Sequence, residues 1–187
     1  MKTGTALISV LLAVGATVFA QTNTDEPAGF EFIVGPRIGL GYIFIDREEF
    51  SENINQHYDT LHEYDYIPLN TSFGVSFEQR ILLGETRSHF AFQELLSING
   101  LEQALALPVC AALIGYRDSG GFEAGIGPLV SISGIQIAIA VGWTIRHKGI
   151  NIPIDLSYTI PNARAASSVA LTTGFNFVTK RKRVATS

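Results

Sequence analysis

The sequence predicts an all-β protein, an eight-stranded antiparallel up-and-down β-barrel that crosses a membrane with its strands. Three observations lead there. Apolar side chains recur every second residue in eight separate segments, the pattern of a strand with one greasy face. The composition is apolar (47% hydrophobic, 16% charged) and rich in glycine (18 residues), yet after the first twenty residues no run of eighteen apolar residues exists to form a spanning helix. The chain also opens on an export segment, and only helices or closed barrels satisfy every backbone group within lipid.

Residues 1–20 read as a secretory signal: Lys2 gives the positive start, Ala6 to Val18 the apolar stretch, and Val18-Phe19-Ala20 a small-residue cleavage site between Ala20 and Gln21. Residues 21–178 are expected to form the barrel, and 179–187 a basic tail containing Lys180-Arg181-Lys182-Arg183. Cys110 is the lone cysteine, so no disulfide framework is expected and stability must come from packing or the bilayer.

The first segment alternates for about sixteen residues, long for a soluble strand. Phe30, Phe32, Val34, Pro36, Ile38, Leu40, Tyr42 and Phe44 share one face, against Glu31, Ile33, Gly35, Arg37, Gly39, Gly41, Ile43 and Ile45. The second places Leu69, Thr71, Phe73, Val75 and Phe77 opposite Asn70, Ser72, Gly74, Ser76, Glu78 and Arg80, then reaches the turn residues Gly84-Glu85-Thr86-Arg87. The third runs from His89 to Ile98, with Phe90, Phe92, Leu96 and Ile98 outward. Glu94 breaks that face: either a bulge near Gln93 turns it away from lipid, the preferred reading, or the strand stops early and Glu94 belongs to a local turn or helical piece. The fourth alternates by size, with Leu105, Leu107, Val109 and Leu113 outward and Ala106, Cys110 and Ala112 inward, before the tight turn Arg117-Asp118-Ser119-Gly120-Gly121.

The fifth segment sets Phe122, Ala124, Ile126, Pro128, Val130 and Ile132 against Glu123, Gly125, Gly127, Leu129 and Ser131, and Ser133-Gly134 joins it as a hairpin to the sixth. That sixth is the most regular: Ile135, Ile137, Ile139, Val141, Trp143 and Ile145 alternate with Gln136, Ala138, Ala140, Gly142, Thr144 and Arg146. After His147-Lys148-Gly149, the seventh pairs outward Ile152, Ile154, Leu156, Tyr158 and Ile160 with inward Asn151, Pro153, Asp155, Ser157 and Thr159. The eighth sets Val169, Leu171, Thr173, Phe175 and Phe177 against Ser168, Ala170, Thr172, Gly174 and Asn176.

Eight strands enclose a lumen that side chains fill, which excludes a wide aqueous pore. The inward charges Glu31, Arg37, Glu78, Arg80, Glu123, Arg146 and Asp155 are expected to form an ion-paired plug with Arg37 as its hub, the alternative being a gate whose rearrangement opens a path. Tyr42, Phe44, Trp143, Tyr158, Phe175 and Phe177 are the expected lipid-interface aromatics. With both termini in the periplasm, the long first connection (46–66) faces outward. It is acidic (Asp46, Glu48, Glu49, Glu52, Asp59, Glu63, Asp65), suited to solvation, to a divalent cation or to contact with extracellular or host molecules.

The export segment, the eight alternating segments, the long first outer connection and the aromatic-rich stretch Val169 to Phe177 together resemble the small outer-membrane barrels of the OmpW, OmpX and OmpA-transmembrane families. Val34-Gly35-Pro36 and Ile126-Gly127-Pro128 look like the glycine-proline strand phrases of such sequences. The resemblance implies residence in the outer membrane of a diderm bacterium, outer-membrane lipid and the barrel-insertion machinery as partners, and a structural, adhesive or small-solute role. Those families commonly end on an aromatic residue that resembles an insertion signal, whereas ten residues follow Phe177 here.

The sequence thus predicts a structural or surface-exposed outer-membrane barrel, with a narrow channel for small or apolar solutes as one alternative and a lipid-modifying enzyme as another. No catalytic residue is assigned. Ser51, His57 and Asp59 in the first connection carry the residue types of a hydrolase but no diagnostic spacing. No cofactor and no metal site is expected, since His57 and His62 among loop carboxylates are unspecific. His89 and His147 fall near periplasmic turns and suggest no site. An exported chain of net charge −4 is not expected to bind nucleic acid.

Overall fold

A computed structural model describes residues 30–58, 66–82, 88–147, 150–163 and 165–182. The signal with its Ala20–Gln21 cleavage site, Asp59, His62 and the last five residues lie outside that set. The strands are β1 (Phe30–Ile43), β2 (Leu69–Leu82), β3 (His89–Asn99), β4 (Leu107–Arg117), β5 (Phe122–Ser131), β6 (Gly134–His147), β7 (Ile150–Ile160), β8 (Ser168–Gly174) and β9 (Phe177–Lys182), with one helix, α1 (Arg47–Tyr58), in the first connection. Each strand pairs antiparallel with the next from β2 to β8, and β1 closes the ring between β2 and the β8–β9 edge. β8 and β9 lie end to end along β1, so the nine segments form an eight-stranded closed barrel, as predicted.

The split between β8 and β9 has a local cause. Pro36 has no N–H, so the ladder at this point keeps only the bond from Phe175 N–H to Pro36 O, stretched to 3.4 Å. The strand resumes at Phe177 opposite Val34. β9 therefore carries the wall through Lys182, and part of the run expected as a tail belongs to a strand.

Alternation holds along β1, β2, β5, β6 and β7 with the expected faces. Ile38, Leu40, Phe73, Ile126, Ile145 and Leu156 are exposed, while Ile33, Arg37, Ser76, Glu78, Glu123, Thr144 and Thr159 are buried inside. Two expectations fail. β3 runs without a bulge, in unbroken register with β2 and β4, so Glu94 stays on the outer face. β4 is in the opposite phase to the one expected: Leu107 and Ala111 point inward and Ile114 (64% exposed) and Tyr116 outward. Alternation by size leaves the two phases of this strand nearly equivalent, and its last residue, Arg117, decides between them by entering the lumen.

Glycines let neighbouring strands approach. A Cβ on Gly35 would lie 1.6 Å from Phe175 O across the closing seam, whereas Gly134 (φ +119°) has open space around it. Gly35→Ala should therefore abolish the cooperative melt of β-structure followed by circular dichroism. Gly134→Ala should lower stability by only about 1–3 kcal/mol, through backbone strain.

Candidate functional site

The interior divides into a buried charge layer and an apolar cap. The layer is centred on Glu78 of β2, which is 2% exposed. The alternation of β2 turns both Glu78 and Arg80 inward, where the Arg80 Nε–H donates to Glu78 Oε1. Arg117, at the end of β4, donates from one Nη to Glu78 Oε2 at 3.1 Å and to Gln93 Oε1 at 2.8 Å. Gln93 in turn donates to Ser76 Oγ at 3.0 Å. The Arg117 Nε lies 3.2 Å from Glu123 Oε2, near enough for an ion pair but poorly aligned for a hydrogen bond, and Thr144 donates to the other Glu123 oxygen. Arg80 also pairs with Glu31 at 3.5 Å. Strands β1 to β6 all contribute to this one layer, so it ties most of the wall together.

Arg37 is not its hub. Its guanidinium sits at the gap between β8 and β9, donating to Asn176 Oδ1 at 2.7 Å and to Pro36 O at 3.1 Å. It staples the seam at the point where Pro36 removed a ladder bond. Arg146 lies outside the layer as well: it is exposed at the barrel mouth and donates to Ser119 O at 2.9 Å. Asp155 borders a cavity of about 10 Å³, close to the lower limit for one water molecule. Gln93, Arg117 and Glu123 also line it, and Asp155 Oδ1 packs on the bare backbone of Gly142.

Arg117 and Gln93 were not placed in the lumen by the sequence; Ser76, Thr144 and Asn176 were on the expected inward faces but not in the expected ion-pair network. Reading β4 backward from the outward pair Tyr116 and Ile114 would have placed Arg117 inside. For the polar but uncharged members, alternation gives the inward face but not the partner.

The opposite end of the lumen is closed by α1. Phe50 reaches into a buried cluster with Tyr66, Leu105 and Leu107, against which Ile43, Ile45 and Ile132 pack. Ser51 fixes the helix there: its Oγ accepts from the Tyr66 N–H (2.9 Å) and donates to Tyr66 O (3.1 Å). Both hydrogen-bonding roles of this buried hydroxyl are taken, which leaves no poised nucleophile. Gln103 holds the returning chain, accepting from the Ile67 N–H at 2.7 Å and donating to Leu69 O at 2.8 Å. Beside this cap, Tyr42, Phe44, Asp46, Glu49 and Asn162 line an open groove of about 750 Å³.

The six aromatics expected at the lipid interface, Tyr42, Phe44, Trp143, Tyr158, Phe175 and Phe177, all lie exposed on the outer wall. Tyr42 and Phe44 stack edge to face at 5.4 Å near the capped end, and Trp143 meets Phe122 at 6.5 Å toward the other. His89 is buried at the end of β3, with 2% exposure. In the turn after β4, Asp118 accepts from the Gly120 N–H at 2.8 Å, which holds its carboxyl below the usual aspartate range. Among the described residues no cluster of three or more metal-ligating side chains exists.

Fold and interior together define a closed eight-stranded barrel filled by its own side chains. No protein-family model matches the chain, and no curated protein matches it. Among solved structures it is similar to Ail, the attachment invasion locus protein of Yersinia pestis, at 11% identity over 81% of this chain and 100% of that one, with a TM-score of 0.43. It is also similar to the outer membrane protein AlkL in DMPC lipid bilayers, at 9% identity over 89% and 97% of the two chains, with a TM-score of 0.43. A de novo designed transmembrane β-barrel matches at 10% identity over 84% and 99%, with a TM-score of 0.40.

Removing one partner from a buried ionic layer strands the others without compensation. Glu78→Ala should therefore cost about 3–5 kcal/mol in denaturant unfolding, whereas Arg146→Ala at the exposed mouth should change stability by less than about 0.5 kcal/mol.

Proposed function

We propose that this protein is an integral outer-membrane barrel that does not conduct and that presents its first connection at the cell surface. The observation that carries this is the inverted arrangement of side chains: large apolar residues such as Ile38, Ile126, Trp143 and Leu171 are exposed around the wall, while the charged ones are buried inside. Such an exterior is stable in hydrocarbon and unfavourable in water. Two independent seals argue against a channel, the Glu78–Arg117 layer and the Phe50 cluster over it.

On this reading the strand ends joined by short turns face the periplasm, and the end carrying α1 faces outward. The groove beside α1, with Asp46 and Glu49 over Tyr42 and Phe44, then offers carboxylates above an aromatic floor to an extracellular or host molecule. The narrow-channel alternative would require both seals to open. The enzyme alternative has no support from Ser51, whose hydroxyl is committed to Tyr66.

The protein should fold in detergent or lipid but not in buffer, and migrate faster on gels unheated than boiled. In planar bilayers it should give no steady conductance at moderate voltage. Deletion of α1 alone should leave it silent because the charge layer remains. Folding as a soluble monomer would overturn the membrane reading, and steady single-channel steps from the intact protein would overturn the non-conducting one.

A further inference from the structure

The outer wall is uniform except at one place. Among the described side chains of β1 to β8, Glu94 is the one Asp, Glu, Lys or Arg that points outward from within the belt. The unbroken registers of β3 set it opposite Phe77 on one side and Ala112 on the other. It makes no hydrogen bond or ion pair with any described residue. On β4 its outward neighbours are small, Ala112 and Cys110, whereas β6 and β7 present isoleucines, Leu156 and Trp143 on their outward faces. A carboxyl thus stands beside small side chains in a surface otherwise matched to hydrocarbon.

Resting on the membrane reading above, we propose that this wall, centred on Glu94, binds a second copy of the chain in the plane of the membrane. Lipid chains offer no hydrogen-bond partner, and headgroup donors lie at the surface rather than within the belt. A second copy supplies a partner by symmetry. About a two-fold axis along the membrane normal every residue lies at the same depth as its counterpart, and a residue beside the axis meets its own. In its acid form a carboxyl carries one O–H donor and an acceptor oxygen, so two Glu94 side chains satisfy each other as a cyclic pair. Small neighbours are what such contact needs, because walls in lipid associate by close packing and hydrogen bonding rather than by a hydrophobic drive. Ala112 and Cys110 permit that approach.

Cys110 supplies the test, since it lies on the same face one row from Glu94. The full-length protein is reconstituted in vesicles, oxidised with copper phenanthroline and run on non-reducing gels. Transfer between donor- and acceptor-labelled copies at high lipid dilution provides a readout independent of thiol geometry. The wild type and Glu94→Gln, whose amide also donates and accepts, should give a Cys110-linked dimer and energy transfer. Glu94→Leu, which suits the lipid better and should fold at least as well, should lower both by at least about tenfold. A cysteine at Leu171 on the far wall, in a Cys110→Ser background, should give only collisional linkage. Energy transfer unaffected by Glu94→Leu, linkage through position 171 equal to that through Cys110, or a well-folded monomer at all dilutions overturns the proposal while leaving the membrane reading standing. Failure to insert into vesicles overturns both.

Discussion

A carboxylate buried inside a barrel must be neutralised by partners that reach it from other strands, and most of this interior follows from that requirement at Glu78. Its own strand supplies Arg80 two residues on, since residues i and i+2 share a face. The second cation, Arg117, comes from β4, and to reach Glu78 it turns the whole of β4 over. Once Arg117 is inside, Gln93 and Glu123 have a partner; Ser76 then accepts from the Gln93 amide and Thr144 donates to the second Glu123 oxygen. Ionic layers of this kind contribute little net stability against an apolar filling, because desolvation offsets the Coulomb attraction. What they contribute here is registry: shifting β2, β4 or β5 by one residue would throw a buried charge onto the apolar outer face.

Closure is a separate problem and is met at a different residue. β1 must accept partners on both edges, yet it carries Pro36, which removes a donor from the ladder facing β8. Arg37 compensates with donors of its own to Pro36 O and Asn176, and Gly35 and Gly174 keep the backbones close enough for it to do so. A single long side chain thus replaces backbone bonding over a short gap, and the eighth wall strand continues as two segments rather than ending.

The interior and exterior make opposite demands on the same strands, and the two ends of the barrel differ in consequence. One end is sealed by charge and joined by short turns. The other is sealed by Phe50 and its neighbours beneath a helix whose outer residues are acidic and exposed. On the function proposed for this chain, a filled lumen leaves recognition to the surfaces, the groove beside α1 and the wall around Glu94.

The fold was legible in the sequence because two-residue alternation is a local property: each strand from β5 to β7 declares its inward and outward faces without reference to any other. Glycine in the inward phase and aromatics in the outward phase add to the same reading. Three features depended on contacts between distant residues and so were decided only in the folded chain. The phase of β4 was ambiguous because small and large apolar residues alternate there, and the Glu78–Arg117 pair, formed by residues 39 apart, resolved it. Glu94 looked like a register error, but continuous pairing with both neighbours kept it on the outer face. Helix α1 has too few apolar residues for a periodic signal, and Phe50 and Ser51 acquire their roles only against Tyr66, Leu105 and Leu107. Sequence by itself determined that this chain is a barrel and which strand faces are greasy; the tertiary structure decided which charges meet, because ion pairing is set by register and proximity across strands, and alternation carries no record of either.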